Sequence, residues 1–367
     1  MLERSFTNLL IRPADLEPSR EGMRVVGVFN PGVAEHDGQV VIVARVVEAP
    51  IDVPEGVVGS PRLDHHGTLM VDHLPAADYD LSDRRTVFRK ADGLKRLRFL
   101  SHFRVFMSAD GRSVTPEAIQ SATIIQPEGP YETFGIEDPR ITRIGDLAYI
   151  TYVAVSLRGV CTCLMSTTDF KSFHRHGILF APDNKDVVLF PEKLLGDYVA
   201  LHRPMPAIKF SEPAMWVSRS QSLLHWGGHE RLVSDDAEGE SLGKHYGGGT
   251  PPIRTREGWL IIYHVKHPFP DAPDGGKRFR YVAHAMLLHP DNPSRVLGAS
   301  VEPVMEPSEA FERSGFVDDV VFPTGIVERD GAFYVYYGAA DEVTAVCAFD
   351  RVSLLEACTS AEPASAG

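Results

Sequence analysis

Polar and charged side chains recur at matching places in this sequence, beside prolines and at the ends of short apolar runs. They are Asn30, Glu137, Asp138 and Arg140 in the first setting, and Arg45, His202, Arg203, His264 and Asp341 in the second. A charge at the edge of an apolar strand is costly to bury without a partner. Either each of these charges has its own ion pair, or the set converges on a ligand. Several basic groups with few acids indicate an anion site beside a carboxylic acid.

The overall composition limits what that anion can be. The 367 residues are 43% apolar and 24% charged, and the formal net charge is −13. This excess of acids opposes attraction to nucleic acid or to anionic lipid, so a bound anion needs a local basic cluster. No apolar run approaches the roughly 20 residues that span a bilayer, and the N-terminus lacks the apolar core of a secretory signal. We expect a cytoplasmic protein with no nucleic-acid or membrane partner.

The sequence shows no pattern of a metal centre or a disulfide framework. Four cysteines are present, and the pair Cys161-x-Cys163 lacks the C-x2-C spacing of a zinc site. In a strand these two residues face the same side, which favours small core residues. No HExxH motif or ligand-spaced cluster occurs. We expect no metal and no cofactor.

Five segments that could position the polar residues share one pattern. Each has a proline, then a Gly-containing turn, then a strongly apolar run rich in β-branched and aromatic residues, which is typical of a β-hairpin. The turns are Asp37-Gly38, Gly145-Asp146, Gly196-Asp197, Glu257-Gly258 and Asp330-Gly331. Further strand-like stretches lie between them, such as RVFMSADG and YVAHAMLLHP.

Five hairpins with intervening strands predict an all-β fold, a five-bladed β-propeller that forms a single domain over residues 1–367. A β-sandwich with a second domain is the alternative, because periodicity alone does not show that the repeats close into a ring. Residues 49–100 interrupt the pattern as a long insertion, and the small, polar tail at 357–367 is expected to fray. A propeller would gather the polar residues around its central channel.

Four motifs in order resemble one known family. FGIEDPR at 134–140, LFPEKLLGDYVALHRP at 189–204, GGTPPIRTREGWLIIYHV at 248–265 and VVFPTGIV with YYGAAD at 320–341 look like glycoside hydrolase family 130. This family comprises inverting β-mannoside phosphorylases and related β-mannosidases. The resemblance runs from Phe29 to Asp341. It implies a five-bladed propeller and a metal-independent glycoside phosphorylase, a glycosyltransferase of carbohydrate metabolism.

The resemblance implies that Asp138 is the general acid, which passes its proton to the glycosidic oxygen through the 3-hydroxyl of the mannosyl unit. Inverting transfer to phosphate requires only one such acid, because the phosphate nucleophile is already an anion and needs no base. A hydrolase needs a second carboxylate, roughly 6.5–9.5 Å away, to activate water. Glu238 and Glu240 are candidates for that base, with solvated loop charges as the alternative.

The resemblance also implies which residues bind the two substrates. Phosphate would contact Arg104, Arg158, Lys244 and His264, and the mannosyl unit would contact Asn30, Arg45 and Asp341. His202, Arg203 and Tyr246 are further candidates for substrate binding. Arg104 and Arg158 have ordinary surface arginines as their alternative, and Tyr246 has simple packing. The HYGGGT run and the insertion after Arg45 depart from the usual pattern, so both are candidates for the acceptor side.

Three functions are compatible with these residues. The first is phosphorolysis of a β-linked manno-oligosaccharide by inorganic phosphate, the co-substrate, to give α-mannose 1-phosphate. The second is hydrolysis of the same linkage by an inverting β-mannosidase, and the third is carbohydrate binding by a propeller without catalysis. The basic residues favour phosphorolysis. The sequence leaves the linkage open, and it is compatible with a homo-oligomer.

Overall fold

The computed structural model describes residues 2–205, 210, 213–232, 246–269 and 279–359, and this part of the chain is all-β, as predicted. Its strands are β1 (Phe6–Ile11), β2 (Met23–His36), β3 (Gln39–Pro50), β4 (Val57–Leu63), β5 (Leu69–Pro75), β6 (Tyr79–Asp80), β7 (Thr86–Arg89), β8 (Lys95–Leu97), β9 (Leu100–Ser108), β10 (Thr123–Ile125), β11 (Gly135–Ile144), β12 (Leu147–Ser156), β13 (Gly159–Thr167), β14 (His174–Phe180), β15 (Asn184–Leu189), β16 (Tyr198–Pro204), β17 (Trp216–Ser220), β18 (Gly227–Arg231), β19 (Tyr246–Gly248), β20 (Ile253–Arg254), β21 (Trp259–Pro268), β22 (Phe279–Leu288), β23 (Val296–Ala299), β24 (Val321–Arg329), β25 (Ala332–Ala339) and β26 (Val343–Asp350). The helices are α1 (Pro116–Gln120), α2 (Ala310–Arg313) and α3 (Arg351–Thr359). Among the described residues, no helix is long and apolar enough to cross a membrane.

Most strands belong to five antiparallel groups. The first contains β2, β3, β9 and β10, the second β11 to β14, the third β15 to β18, the fourth β19 to β23, and the fifth β24 to β26. The first strand of the chain, β1, pairs with β26 and completes the fifth group. A single parallel contact between Gly135 and Ser101 joins the first two groups into one continuous sheet.

The five predicted hairpins are present. In the first and last, both turn residues have positive φ: 49° and 75° at Asp37 and Gly38, and 54° and 76° at Asp330 and Gly331. Asp and Gly tolerate this conformation, and it matches the twist of the paired strands. The third hairpin differs from its expected form. Its first strand is β15, and the stretch 190–197, expected to supply that strand, is the connection to β16.

The core consists of apolar clusters between successive strand groups. One cluster lies between the first and second groups, and others separate the second from the third, the third from the fourth and the fourth from the fifth. A fifth cluster packs the last group against the first, including Tyr336 of β25 and Ile42 of β3. The β-branched and aromatic runs form these strands because both of their faces are covered.

The predicted insertion contains two small sheets, β4 with β5 and β6 with β7 and β8. At the other end of the predicted domain, α3 buries Leu354, Leu355 and Cys358. Residues 357–359 of the tail expected to fray are therefore helical, and the rest of that tail lies outside the described residues.

The cysteine pair of β13 is part of the core, as predicted. Cys161 and Cys163 are buried, and their sulfur atoms lie 4.0 Å apart on one face of the strand. Both are free thiols.

Candidate active site

One cavity of about 350 Å³ is lined by residues of all five strand groups. Six candidates from the sequence meet there: Asn30, Arg45, Asp138, Arg203, His264 and Asp341. The insertion adds Arg85, Thr86, Lys95, Leu97 and Phe99. Among the described residues that line the cavity, six Lys or Arg side chains face three carboxylates. The cavity is therefore cationic in an acidic protein, which favours an anionic ligand.

Four acidic or amide residues at this cavity have left-handed backbone conformations. The φ angles of Asn30, Asp138, Asp186 and Asp341 are 50°, 51°, 57° and 51°. The pairing register of the hairpin shifts at each of the first three, so they lie at β-bulges. A bulge turns a side chain out of the regular alternation, and Asn and Asp are the residues that best tolerate φ above zero. The three bulges turn Asn30 and Asp138 toward the cavity and place Asp186 behind it.

Asp138, the predicted acid, is held by two donors. The Oδ1 atom of its carboxylate accepts hydrogen bonds from Asn30 Nδ2 at 2.9 Å and from Arg45 Nη1 at 3.1 Å. Burial raises the pKa of Asp138, but Arg45, Arg140 and the Asn30 amide outweigh burial and lower this pKa below its ordinary value. The protein groups around Asp138 therefore favour its ionised form at neutral pH.

Arg45 links Asp138 to the preceding glutamate. Its Nη2 atom lies 2.7 Å from Glu137 Oε1, and its guanidinium contacts the rings of Phe29 and Phe99 at 4.9 and 5.4 Å. Burial raises the pKa of Glu137, and the neighbouring Asp138 raises it further, although Arg45 opposes the shift. The two adjacent carboxyl groups therefore have pKa values displaced in opposite directions.

Asp341 lies opposite the insertion. Arg85 Nη1 approaches Asp341 Oδ2 to 2.8 Å, and the same guanidinium pairs with Asp83. Burial raises the pKa of Asp341, while Arg85 and Arg45 oppose this shift. The carboxylate can thus accept sugar hydroxyls, and a residue of the insertion holds it in place.

A second part of the cavity collects cations. Lys185 and Arg203 are direct cross-strand partners in β15 and β16, and His264 of β21 lines the same cavity. Burial lowers the pKa of His264 to about 3, so its imidazole is neutral at pH 7. Asp186 lies behind these groups, with Oδ2 at 2.5 Å from Arg203 Nη2 and 3.6 Å from His264 Nε2. A dianion such as phosphate would find donors from three strands here.

The glycine run after Tyr246 makes room for this cluster. A Cβ atom at Gly247 would lie 2.6 Å from both Asp186 Oδ2 and His264 Cε1, so a larger residue there would displace one of these side chains. Arg140 spans the space behind the cavity: its Nη1 donates to the Asp138 carbonyl oxygen at 2.6 Å and its Nε donates to the Gly249 carbonyl oxygen at 3.0 Å. The part of HYGGGT from Tyr246 onward therefore packs against the cationic side of the cavity.

The structure places the other predicted residues away from the cavity lining. Arg104 approaches the buried Glu48 to 3.7 Å and donates to the Glu17 carbonyl oxygen, whereas Arg158 is exposed and contacts the ring of Tyr131. His202 is buried and bonds Asn184 and Ser218 through its two ring nitrogens. The Tyr246 hydroxyl donates to the Leu232 carbonyl oxygen at 3.3 Å. Lys244, Glu238 and Glu240 lie outside the described residues.

Sequence reasoning did not select Lys185, Asp186, Arg85 or Lys95 as site residues. Lys185-Asp186 occupies the same place at its bulge as Phe29-Asn30 and Glu137-Asp138, but no proline follows Asp186, so the sequence pattern did not mark it. Arg85 and Lys95 belong to the insertion, whose position the hairpin repeat does not predict.

No group of three or more His, Cys, Asp or Glu side chains within the described ranges is arranged to hold a metal ion. The cavity chemistry visible in these ranges is that of carboxyl groups, guanidinium groups, ammonium groups and one imidazole.

Comparisons with known proteins agree with this chemistry. The model of the family Glyco_hydro_130, described as beta-1,4-mannooligosaccharide phosphorylase, matches residues 101–360. A beta-1,2-mannobiose phosphorylase of Listeria innocua is 38% identical over 346 residues, which cover 93% of each chain. A 1,2-beta-oligomannan phosphorylase of Thermoanaerobacter sp. is 33% identical over 248 residues, 66% of this chain and 78% of that protein.

Solved structures show the same relationship. The beta-1,2-mannobiose phosphorylase from Listeria innocua, in complex with beta-1,2-mannobiose, superposes with a TM-score of 0.83 and 36% identity. The superposition covers 95% of this chain and 96% of that one.

Proposed function

This chain belongs to glycoside hydrolase family 130, and we propose that it catalyses inverting phosphorolysis of a β-mannoside. Inorganic phosphate is the second substrate, and α-mannose 1-phosphate is the product. The observation that carries the proposal is the pairing, in one cavity, of a half-buried carboxyl group, Asp138, with a separate cluster formed by the cations Lys185 and Arg203 and the imidazole of His264.

In this proposal Asp138 supplies the proton. Phosphate attacks the anomeric carbon from the face opposite the glycosidic oxygen, and the bond to that oxygen breaks as the oxygen receives the proton through the mannosyl 3-hydroxyl. The surrounding protein groups alone lower the pKa of Asp138. Bound phosphate brings negative charge into the cavity, which raises the pKa of Asp138 and favours its acid form. Asn30 and Arg45 hold the carboxyl group in position.

The cationic cluster supports phosphate as the nucleophile. Lys185 supplies a point charge, Arg203 a planar donor and His264 a neutral ring donor. The other two carboxylates that line the cavity, Glu137 and Asp341, are both ion-paired with arginines. An inverting hydrolase would need a second carboxylate to activate water, whereas phosphate needs cationic donors, which Lys185 and Arg203 supply, so the cationic cluster supports phosphorolysis over hydrolysis.

We also propose that the five strand groups are the blades of a five-bladed β-propeller in a single domain. The support is the set of apolar clusters that separates each group from the next and the last from the first. Thr324 of the fifth group donates a hydrogen bond to the Pro31 carbonyl oxygen of the first at 2.8 Å. In such a ring the inner strands meet at the cavity.

For the linkage, we propose β-1,2-mannobiose as the substrate to test first. The relative that matches 93% of this chain is named a beta-1,2-mannobiose phosphorylase. A relative named for the β-1,4 linkage is 32% identical over 56% of this chain.

The test is the initial rate of cleavage of β-1,2-mannobiose and β-1,4-mannobiose against phosphate concentration. We expect the rate to rise from near zero to saturation with phosphate, and NMR to identify α-mannose 1-phosphate as the first product. Equal rates with and without phosphate, with free mannose as the only product, would establish the mannosidase instead.

Two matched variants locate the phosphate site. Lys185→Met should raise the KM for phosphate at least about tenfold and leave the KM for mannoside within about twofold, because it removes a charge near the nucleophile alone. Arg158→Gln removes an exposed cation outside the cavity and should leave both constants unchanged. A raised KM for phosphate in Arg158→Gln, with an unchanged KM in Lys185→Met, would indicate that phosphate binds at Arg158 instead.

A further inference from the structure

We infer that Asp186, a buried carboxylate that does not line the cavity, is a positioning residue that holds Arg203 and His264, beside Lys185, in the arrangement that receives phosphate. The inference rests on the proposed phosphorolysis, and it adds a requirement that the substrate contacts do not reveal. An anion-binding cluster needs an internal anion to assemble before its ligand arrives.

The need for such an anion follows from the strand register. Lys185 and Arg203 stand directly opposite each other in β15 and β16. Like charges at directly opposed positions destabilise a sheet. A fixed counter-charge beside the pair offsets that repulsion whether or not an anionic substrate is bound.

Asp186 has the geometry of that counter-charge. Its side chain is about 1% exposed, and its Oδ2 lies 2.5 Å from Arg203 Nη2 and 3.6 Å from His264 Nε2. Its other oxygen, Oδ1, lies 3.7 Å from Arg140 Nη2. Arg140 in turn donates to the carbonyl oxygen of Asp138. One carboxylate therefore fixes two phosphate-facing groups and connects them to the strand that carries the acid.

The surrounding backbone restricts Asp186 to one position. Its φ of 57° lies at the bulge of β15. Cβ atoms at Gly247 and Gly248 would approach the Asp186 Oδ2 and carbonyl oxygen to 2.6 and 2.7 Å. A side chain held this closely transmits its position to its partners instead of adapting to them.

The charge of Asp186 also keeps the neighbouring lysine protonated. Burial lowers the pKa of Lys185, Arg203 lowers it further, and Asp186 and Asp138 oppose the change. The other titratable or charged groups that act on Lys185 are Lys95, Glu137 and His264. If the Asp186 charge is removed, the pKa of Lys185 falls further. Lys185 then loses its proton, and phosphate loses a cationic partner, at a lower pH than in the wild type.

The test is Asp186→Asn, which keeps the shape and removes the charge. We expect the KM for phosphate to rise about tenfold or more, with the KM for mannoside within about twofold of the wild type. The alkaline limb of kcat/KM for phosphate should move to lower pH by about one unit. A side chain that served packing alone would not move that limb.

The control is Glu312→Gln, which removes another buried carboxylate that pairs with an arginine, Arg4, at 2.5 Å, but outside the cavity. It should lower thermal stability without changing either KM. If Asp186→Asn does not fold, Gly247→Ala provides the second route, because its methyl group displaces Asp186 or His264. It should raise the KM for phosphate selectively.

The outcomes separate the inference from the proposed function. A wild-type rate that does not depend on phosphate overturns the proposed function. A phosphate-dependent wild type whose Asp186→Asn variant retains both the KM for phosphate and the position of the alkaline limb overturns the role of Asp186 alone. If Asp186→Asn does not fold, an unchanged phosphate KM in folded Gly247→Ala overturns that role.

Discussion

The pKa of Asp138 is shifted in the opposite direction from that of its neighbour Glu137, although both carboxylates contact the same arginine. Arg45 donates to both carboxylates, yet only Asp138 also receives the Asn30 amide and lies close to Arg140. These groups lower the pKa of Asp138, whereas burial raises that of Glu137. At the scale of single residues, the same residue class takes different roles because the donors around each carboxyl group differ.

Asp138→Asn should reduce kcat at least about 100-fold while the fold and mannoside binding are retained, because the amide keeps the shape and cannot deliver the proton. The measurement is kcat together with calorimetric binding of the mannoside. Asp72→Asn is the matched control, since Asp72 pairs with Arg62 in the insertion and does not line the cavity. Near-normal turnover by folded Asp138→Asn would exclude this residue as the acid.

At the scale of elements, the insertion is part of the cavity wall and not a separate appendage. Its β7 and β8 segment contributes Thr86, Lys95 and Leu97, and Arg85 immediately before β7 reaches Asp341. The apolar Phe99 follows β8 and lies against Arg45. Residues 49–100 thus bring Arg85, from a segment that the repeated hairpins do not contain, into contact with Asp341 at the cavity.

Arg85→Ala should raise the KM for mannoside about tenfold and leave the KM for phosphate within about twofold. Removal of Arg85 takes away a charge that opposes the raised pKa of Asp341, so this carboxylate becomes a weaker acceptor for sugar hydroxyls. Arg89→Ala, at the far end of β7, removes an exposed pair with Asp92 and should change neither constant. A selective change in phosphate KM for Arg85→Ala would contradict this assignment.

At the scale of the whole molecule, the two ends of the described chain meet in one sheet. Strand β1 pairs with β26, so that Phe6 lies opposite Ala348. Close by, Arg4 and Glu312 form a buried ion pair. The fifth strand group is complete only when β1, from the start of the chain, joins it. Its formation therefore depends on folding of the entire chain and not on local sequence alone.

Buried neutral histidines make the whole molecule sensitive to acid. His102 Nε2 accepts a hydrogen bond from Arg104 Nε at 3.2 Å, so this nitrogen carries no proton. Burial and, to a lesser extent, the neighbouring Arg104 lower the pKa of His102 to about 3. In the unfolded chain His102 therefore binds a proton near pH 6.5, whereas in the folded chain it stays neutral until the pH is near 3. The stability that depends on neutral His102 is complete above pH 6.5 and is lost as the pH falls toward 3.

His102→Gln should flatten this acid dependence. Between pH 6 and 4 we expect the free energy of unfolding of the wild type to fall more steeply than that of the variant, by up to about 1.4 kcal/mol per pH unit. Urea unfolding at several pH values measures the difference. The exposed His73 gives the control, His73→Gln, whose slope should match the wild type. Parallel slopes for wild type and His102→Gln would contradict the prediction.

The sequence by itself determined the hairpins and most of the acid side of the cavity. Turn residues such as Asp37-Gly38 and apolar runs such as WLIIYHV are local signals, and local backbone preferences decide both. The motif around Asp138 predicted the family, which the comparisons confirmed. Asn30, Arg45 and Asp341 lie at the same cavity, as their places in the repeated hairpins predict, beside a proline for Asn30 and at the end of an apolar run for the other two.

Only the tertiary structure showed that Lys185, Arg85 and Lys95 also face the cavity and that Arg104 and Arg158 do not line it. A one-residue bulge changes the direction of a side chain, so strand alternation did not predict Lys185 and Asp186. Arg104 and Arg158 lie elsewhere because Glu48 and the Glu17 carbonyl oxygen hold the first, and an exposed turn carries the second. Arg85 reaches Asp341 across 256 residues of sequence. Such a contact forms only when the strand groups pack together, and no local pattern encodes it.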